Sequence, residues 1–245
     1  MRADATLVTL RPRPMFEAAD LGVRLVQASA PALLRCALPV YLMLVALCLA
    51  LQPLAWWAPS LVLWWAKPWL DRTLLFVLAR SVFRQDSRWA DLWAARRSVW
   101  WQHLLPTLTM QRLLPWRSYT QAAQQLEGFS GAALRRRRGV LHRVHQGAAL
   151  SMSAAFVHLE LAIAIGLPSV LMLLVPGGQS SGLGWLFGHG DALGTQLLSS
   201  SLYAVAVGLV EPFFVGAGFA MYLNRRVEIE AWDVEQSLRH AFAAR

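Results

Sequence analysis

The chain has 245 residues, of which 56 % are hydrophobic and 15 % charged, and its formal net charge is +9. Soluble domains carry about 25 % charged residues, so this composition argues against a soluble protein. It also lacks a recognisable basic and aromatic nucleic-acid-binding module, and we therefore expect no nucleic-acid partner.

The positive charges divide the chain into blocks. All 23 lysines and arginines lie in residues 1–35, 67–147 and 225–245, and residues 36–66 and 148–224 have none. Cytoplasmic segments of membrane proteins are enriched in Lys and Arg. The pattern predicts a multi-pass protein of the bacterial inner (cytoplasmic) membrane, with both termini in the cytoplasm.

Residues 1–32 predict a cytoplasmic tail followed by an amphipathic helix on the membrane surface. Residues 33–66 predict a first transmembrane hairpin. Its first span, 33–52, has roughly 20 residues, enough for a hydrocarbon core of about 30 Å. We interpret residues 54–66, bounded by tryptophan pairs, as a short second span, since otherwise the basic loop would lie outside.

Residues 67–147 predict a basic cytoplasmic loop with interfacial helices. One of them carries Leu70, Leu74 and Val77 on its apolar face, with Asp71 and Arg72 off that face. Four consecutive arginines later in the loop are candidate contacts for anionic lipid headgroups, at about 1 kcal/mol per residue near the surface; a plain topology signal is the alternative. They are Arg135, Arg136, Arg137 and Arg138.

The second predicted hairpin, 148–224, contains an external loop at 176–191 that is rich in Gly and Ser. Its last apolar stretch includes Pro212, which fits one kinked helix or two half-helices. A charged cytoplasmic helix is predicted at 225–245. The sequence thus predicts an all-α integral membrane protein with about four transmembrane helices plus amphipathic interfacial helices.

Three ionisable residues inside the predicted spans are candidates for an intramembrane polar site: His158, Glu160 and Glu211. Such groups are costly in lipid and are functional candidates by default. A proton or ion relay is one reading. The alternative is a structural contact or a carboxyl kept neutral, in which case Glu211→Gln should leave folding intact and Glu211→Leu should not.

Small residues recur every fourth position in both apolar stretches of the second hairpin, a spacing that lets helices approach closely. We expect these two faces to pack together, with His158 turned toward protein and Glu160 facing elsewhere. The packing residues are Ala154, Ala162, Gly166, Ser200, Ala204, Gly208 and Gly216. Because His158 and Glu160 diverge, no metal site is predicted.

Catalytic and nucleotide-binding motifs are missing from the sequence. It has no phosphate loop, no Gly-x-Ser-x-Gly, no His-Glu-x-x-His and no Cys-x-x-Cys. We therefore expect neither a cofactor nor an enzymatic activity.

Several stretches resemble a family of uncharacterised proteobacterial inner-membrane proteins encoded near transglutaminase-like proteins and MoxR-type ATPases. They begin at Arg11 (RPRPMFEAADLG), Lys67 (KPWLDR), Gln125 (QLEG), Glu211 (EPFFVGAGFAMYLNRR) and Glu230 (EAWD). The layout is more loosely similar to the membrane domain attached to glycerophosphodiesterases. The first resemblance implies a transglutaminase-like membrane protein or a MoxR-type ATPase as partner, and no catalytic residues.

These observations favour a non-catalytic inner-membrane component that anchors or assembles an envelope-associated complex. The alternative is a transporter or channel subunit that uses the intramembrane Glu and His residues. The lipid bilayer itself, with its anionic lipids, is an expected partner in both cases.

Overall fold

The computed structural model describes residues 12–102, 104–109, 112–174 and 193–230, and no strand occurs within these ranges. The all-α prediction is confirmed. The helices are α1 (Met15–Ala28), α2 (Ala30–Leu49), α3 (Ala58–Val82), α4 (Trp89–Ala94), α5 (Leu104–Leu108), α6 (Arg117–Leu126), α7 (Gly131–Leu174) and α8 (Leu193–Glu230), with a π-helical turn at Arg97–Trp101.

Three helices are long and apolar enough to cross a membrane: Ala30–Leu49, the part of α7 from His145 to Leu171, and Leu193–Glu230. The protein is therefore a membrane protein by length and composition of its helices. The predicted total of four spans is not confirmed. The predicted external loop 176–191 and the tail 231–245 lie outside the described residues.

The difference from the predicted layout lies in α3. The helix that contains the apolar residues 58–66 does not end where the basic loop was predicted to begin, at residue 67, but continues to Val82. Its second half does not lie on a surface either, because Asp71, Arg72 and Thr73 are buried together with Leu74 and Leu75. The amphipathic pattern failed here because other helices cover the polar face as well as the apolar one.

The long helix α8 forms the centre of the bundle and contacts α1, α2, α3, α6 and α7. It runs without a break through Pro212, so the stretch is one helix and not two halves. Its closest approach is to α1, where a Cβ atom added at Gly22 would lie 2.6 Å from the Cα of Ala217 and overlap the Gly216 carbonyl. Glycine is required there because only a hydrogen atom fits between the backbones.

The packing predicted between the small-residue faces of α7 and α8 does not form. Ala154, His158 and Ala162 are exposed, and nothing lies near a Cβ added at Gly166. The small face of α8 packs instead on the N-terminal helices: Gly216 meets Gly22 of α1. Four-residue spacing identified a face capable of close packing, but it could not specify the partner helix.

Along the rest of that face, α8 meets α2 and the residues that follow it. Gly208 lies against the ring of Tyr41, whose hydroxyl donates to the Ala204 carbonyl. The Ser200 hydroxyl donates to Gln52 Oε1 over 3.1 Å, and Gln52 Nε2 donates to Gln196 Oε1 over 3.2 Å. This polar layer lies near the N-terminal end of α8.

Candidate functional site: a buried ion network beside a lipid-facing cavity

Helix α3 supplies two charged side chains to the middle of the bundle. Lys67 and Asp71 are four residues apart and therefore share one face of the helix. Both are buried, with 3 % and 1 % of their surface exposed. Burial of a charge is tolerated only where it is paired and hydrogen-bonded, so the neighbouring helices must provide partners.

Glu211 of α8 is the central partner. Its Oε2 lies 2.8 Å from Lys67 Nζ, and its Oε1 accepts a hydrogen bond from Arg117 Nη2. Arg117 begins α6, and its Nε donates to Asp71 Oδ2 over 2.9 Å. Arg117 therefore bridges two carboxyl groups, one on α3 and one on α8, and its guanidinium also lies 4.8 Å from the ring centre of Phe214.

Glu160 of α7 completes the network. Its Oε2 accepts from Lys67 Nζ, and its Oε1 accepts from the Tyr203 hydroxyl over 3.2 Å. The network thus runs Glu160–Lys67–Glu211–Arg117–Asp71 and connects α3, α6, α7 and α8. We refer to these five residues as the ion network.

The ion network contains three carboxyl groups and two cations, so its acidic groups outnumber its basic ones. Burial raises the pKa of Asp71 well above its ordinary value, and the neighbouring Glu211 carboxylate adds to this, although Arg117 opposes it. Burial works against the charge of Arg117, yet Glu211 and Asp71 raise its pKa above the usual range. Burial therefore favours the protonated form of Asp71.

A cavity of about 400 Å³ adjoins the ion network. Lys67, Arg117, Glu160 and Glu211 contribute to its wall, as does Arg112 from the segment between α5 and α6. Most of the remaining wall is apolar and includes Trp64, Phe156, Val157, Leu161 and Ala164, and Ser153 and Tyr203 add two polar groups. The cavity is thus lined by both charged and hydrocarbon-like side chains.

The five residues of the ion network include neither a nucleophile paired with a base nor a set of metal ligands. Within the described parts of the chain, no group of three or more His, Cys, Asp or Glu residues could hold a metal ion. Each carboxylate of the network is already paired with a lysine or an arginine. Its chemistry is therefore that of an ion-paired connection between helices.

The structure separates the three residues predicted to form an intramembrane site. Glu160 and Glu211 meet through Lys67 Nζ, whereas His158 is exposed and its Nδ1 lies 2.7 Å from the Ala154 carbonyl oxygen of the preceding turn. The prediction that His158 faces protein is wrong, because the α7 face carrying it points away from α8. Glu160 does face away from His158, as the helical spacing required.

The four predicted headgroup arginines also divide. Arg135 and Arg136 are exposed. Arg137 is held by Glu127, through Nε over 2.7 Å and Nη2 over 2.9 Å, and by Glu230 over 2.7 Å. Arg138 contacts Gln124. Only the first two side chains are fully presented to a headgroup.

Sequence reasoning missed the basic half of the ion network. The sequence places Lys67 only at the start of the basic loop 67–147 and puts Asp71 and Arg72 off the apolar face of an interfacial helix, and it gives no role to Arg117. The sequence does contain a signal for the acidic and basic pair on α3. Lys67 and Asp71 directly follow an apolar run, they are spaced four residues apart as on one face of a helix, and the helix continues past them. The partners of that pair come from residues 40 or more positions away, which local spacing cannot reveal.

Comparisons with known proteins add no further identification. No family model, curated protein or solved structure matches this chain significantly.

Proposed function

We propose that this protein is a non-catalytic component of the bacterial inner membrane that anchors or assembles partners of an envelope-associated complex. The observation that carries the proposal is the division of charge between interior and surface. The charged groups of the ion network pair with one another, whereas many exposed arginines form no salt bridge with a described residue. They are Arg24, Arg35, Arg84, Arg88, Arg96, Arg97, Arg135 and Arg136.

Exposed tryptophans accompany part of this basic surface. Trp89, Trp93 and Trp101 are about half exposed, and the guanidinium of Arg96 lies 5.0 Å from the ring centre of Trp93. Tryptophan is enriched at membrane–water interfaces, and basic side chains gain about 1 kcal/mol each near an anionic leaflet. The segment from α4 to the π-helical turn therefore suits contact with anionic headgroups.

The partner that we propose follows from the family resemblance: a transglutaminase-like membrane protein or a MoxR-type ATPase. Tagged protein would be recovered from native membranes in a mild detergent and its companions identified by mass spectrometry. We expect stoichiometric recovery of one of these two proteins. Recovery of the chain alone, as a discrete homo-oligomer, would contradict an assembly role.

A pair of variants tests whether the exposed arginines make the contact. We expect Arg135→Gln with Arg136→Gln to lose the partner, because two positive charges are removed from the surface. Ala132→Gln with Ala133→Gln is the matched control, since it adds two amides to exposed positions of the same helix and leaves the arginines in place. Equal recovery in both double variants would rule out this surface.

The proposed topology places residues 67–147 in the cytoplasm and requires residues 54–66 to return the chain across the bilayer. Fusions at positions 110 and 183 test it. We expect fluorescent-protein activity at 110 and alkaline-phosphatase activity at 183. Phosphatase activity at 110 would refute this topology and with it the fourth span.

A transporter or channel subunit is the second candidate, and it is favoured by the location of Lys67, Glu160 and Glu211 on a cavity wall. A pH-dependent flux in sealed proteoliposomes that disappears in Glu160→Gln, with the variant still folded by circular dichroism, would support it. Sealed vesicles without flux would favour the anchoring role.

A further inference from the structure

Arg112 is a buried cation that no carboxylate of the described chain neutralises. Only 9 % of its surface is exposed, and its Nε has no hydrogen-bond partner. Its guanidinium lies 3.5 Å from the ring centre of Trp64, which holds it in place without neutralising it. Burial, together with nearby Arg117, lowers the pKa of Arg112 to about 10, while Glu211 and Asp71 act in the opposite direction, so the side chain keeps its charge at neutral pH.

The ion network does not supply the missing negative charge. Glu160 is occupied by Lys67 and Tyr203, and Glu211 by Lys67 and Arg117. Asp71 is bonded to Arg117, and none of these three carboxyl groups forms a salt bridge with Arg112. A buried, uncompensated cation is costly, so an anion from outside the chain would stabilise this arrangement.

The shape of the adjoining cavity indicates what kind of anion fits. Arg112 lines the cavity together with the apolar side chains of Val157, Leu161 and Ala164 from α7. Val157 and Leu161 are 61 % and 56 % exposed and lie in the membrane-length part of α7. The cavity therefore opens toward hydrocarbon, and its occupant needs an apolar tail as well as a negative head.

The depth of the site in the bilayer agrees with this. Gln196 belongs to the polar layer that includes Gln52. Glu211 lies 15 residues further along α8, which corresponds to a distance of about 22 Å along the helix axis. The hydrocarbon core is about 30 Å thick, so the ion network lies near its opposite edge. The non-helical segment that carries Arg112 also requires an interfacial position or cover by protein, because irregular backbone is not tolerated in contact with lipid tails.

We propose that this cavity binds a membrane lipid with an anionic phosphate headgroup, whose phosphate oxygens accept hydrogen bonds from Arg112 and whose chain lies along Val157, Leu161 and Ala164. The planar guanidinium matches phosphate oxygens in a two-bond geometry. A volume of about 400 Å³ suits a headgroup and the first part of a chain. The site does not depend on the anchoring role, since it is formed by this chain alone.

Native mass spectrometry of delipidated protein in detergent tests the proposal. The probe is palmitoyl-oleoyl phosphatidylglycerol, and inorganic phosphate and palmitoyl-oleoyl phosphatidylcholine are the comparison ligands. We expect one tightly bound phosphatidylglycerol per chain and at least 10-fold weaker binding of the other two. Saturation by inorganic phosphate at the same concentration would overturn the lipid assignment, because it would show that the tail contributes nothing.

Variants then locate the site. We expect Arg112→Gln to weaken phosphatidylglycerol binding at least 10-fold. We expect Ala164→Trp to abolish binding by filling the cavity while Arg112 is retained, whereas Ala162→Trp, on an exposed face outside the cavity, has no effect. Wild-type affinity in either Arg112→Gln or Ala164→Trp would overturn the proposal.

Discussion

Glu211→Gln and Asp71→Asn make the same chemical change at two equally buried positions, yet we expect very different costs. Each replaces a carboxyl group with an amide, and each residue is 1 % exposed. Glu211 pairs with both cations of the ion network, so its loss leaves Lys67 and Arg117 with Glu160 as the one remaining carboxylate. Removing one partner from a buried ion pair costs about 3–5 kcal/mol.

Asp71→Asn should cost less than about 1 kcal/mol, because burial favours the neutral form of Asp71 and asparagine is neutral as well. The new amide oxygen can still accept the hydrogen bond from Arg117 Nε, and a retained neutral hydrogen bond is worth about 1 kcal/mol. The expected difference between the two variants is therefore at least about 2 kcal/mol, or roughly a 30-fold ratio of unfolding equilibrium constants.

The free energy of unfolding would be measured by titrating protein in mild-detergent micelles with a denaturing detergent and following the helical circular dichroism signal. Arg136→Met, at an exposed position of α7, serves as the baseline variant and should lie within about 0.5 kcal/mol of wild type. Equal destabilisation by Asp71→Asn and Glu211→Gln would refute the neutral form of Asp71. Wild-type stability in Glu211→Gln would refute the network itself.

Three further outcomes are expected. Gly22→Ala should destabilise the fold by about 3 kcal/mol, because its Cβ meets the backbone of α8, whereas Gly139→Ala, in open space on α7, should add about 0.5–1 kcal/mol in the same unfolding titration. Folding raises the pKa of Asp71. Its contribution to the free energy of unfolding is therefore greatest below the ordinary carboxyl pKa of about 4 and is lost as the pH rises through the folded value. A profile of stability against pH should show this decline in the wild type and not in Asp71→Asn. Arg137 pairs with both Glu127 and Glu230, and Arg137→Met removes both ion pairs. The substitution should therefore lower the free energy of unfolding, measured by thermal unfolding, by about 1–2 kcal/mol, between the values for exposed and buried ion pairs. A cost below 0.5 kcal/mol would contradict this.

The ion network gives the bundle a specific arrangement that apolar contacts alone would not. Apolar side chains pack without direction, whereas Arg117 must reach α3 and α8 together to satisfy Asp71 and Glu211. Buried polar groups of this kind often contribute more to the choice of one structure than to net stability. Here they fix α3, α6, α7 and α8 relative to one another and thereby shape the cavity beside Arg112.

The amino-acid sequence by itself determined the fold class and the long apolar helices. Both depend on composition and on runs of apolar residues, which act locally through backbone hydrogen bonding in lipid. The sequence also identified Glu160 and Glu211 as unusual, because a charge inside an apolar run is costly wherever the chain folds. The spacing of two residues on a helix was sufficient to predict that the side chains of His158 and Glu160 point in different directions.

Only the tertiary structure decided what those charges meet. Lys67 and Arg117 reach Glu211 from positions 144 and 94 residues away, and no periodicity encodes such pairings. In the structure, the small-residue face of α8 packs on α1 and α2. Gly22 of α1 allows close backbone contact with Gly216, whereas the small-residue face of α7 is exposed. Local patterns specify which faces can be buried, whereas the partner of each face depends on the complementary shape and charge of distant segments.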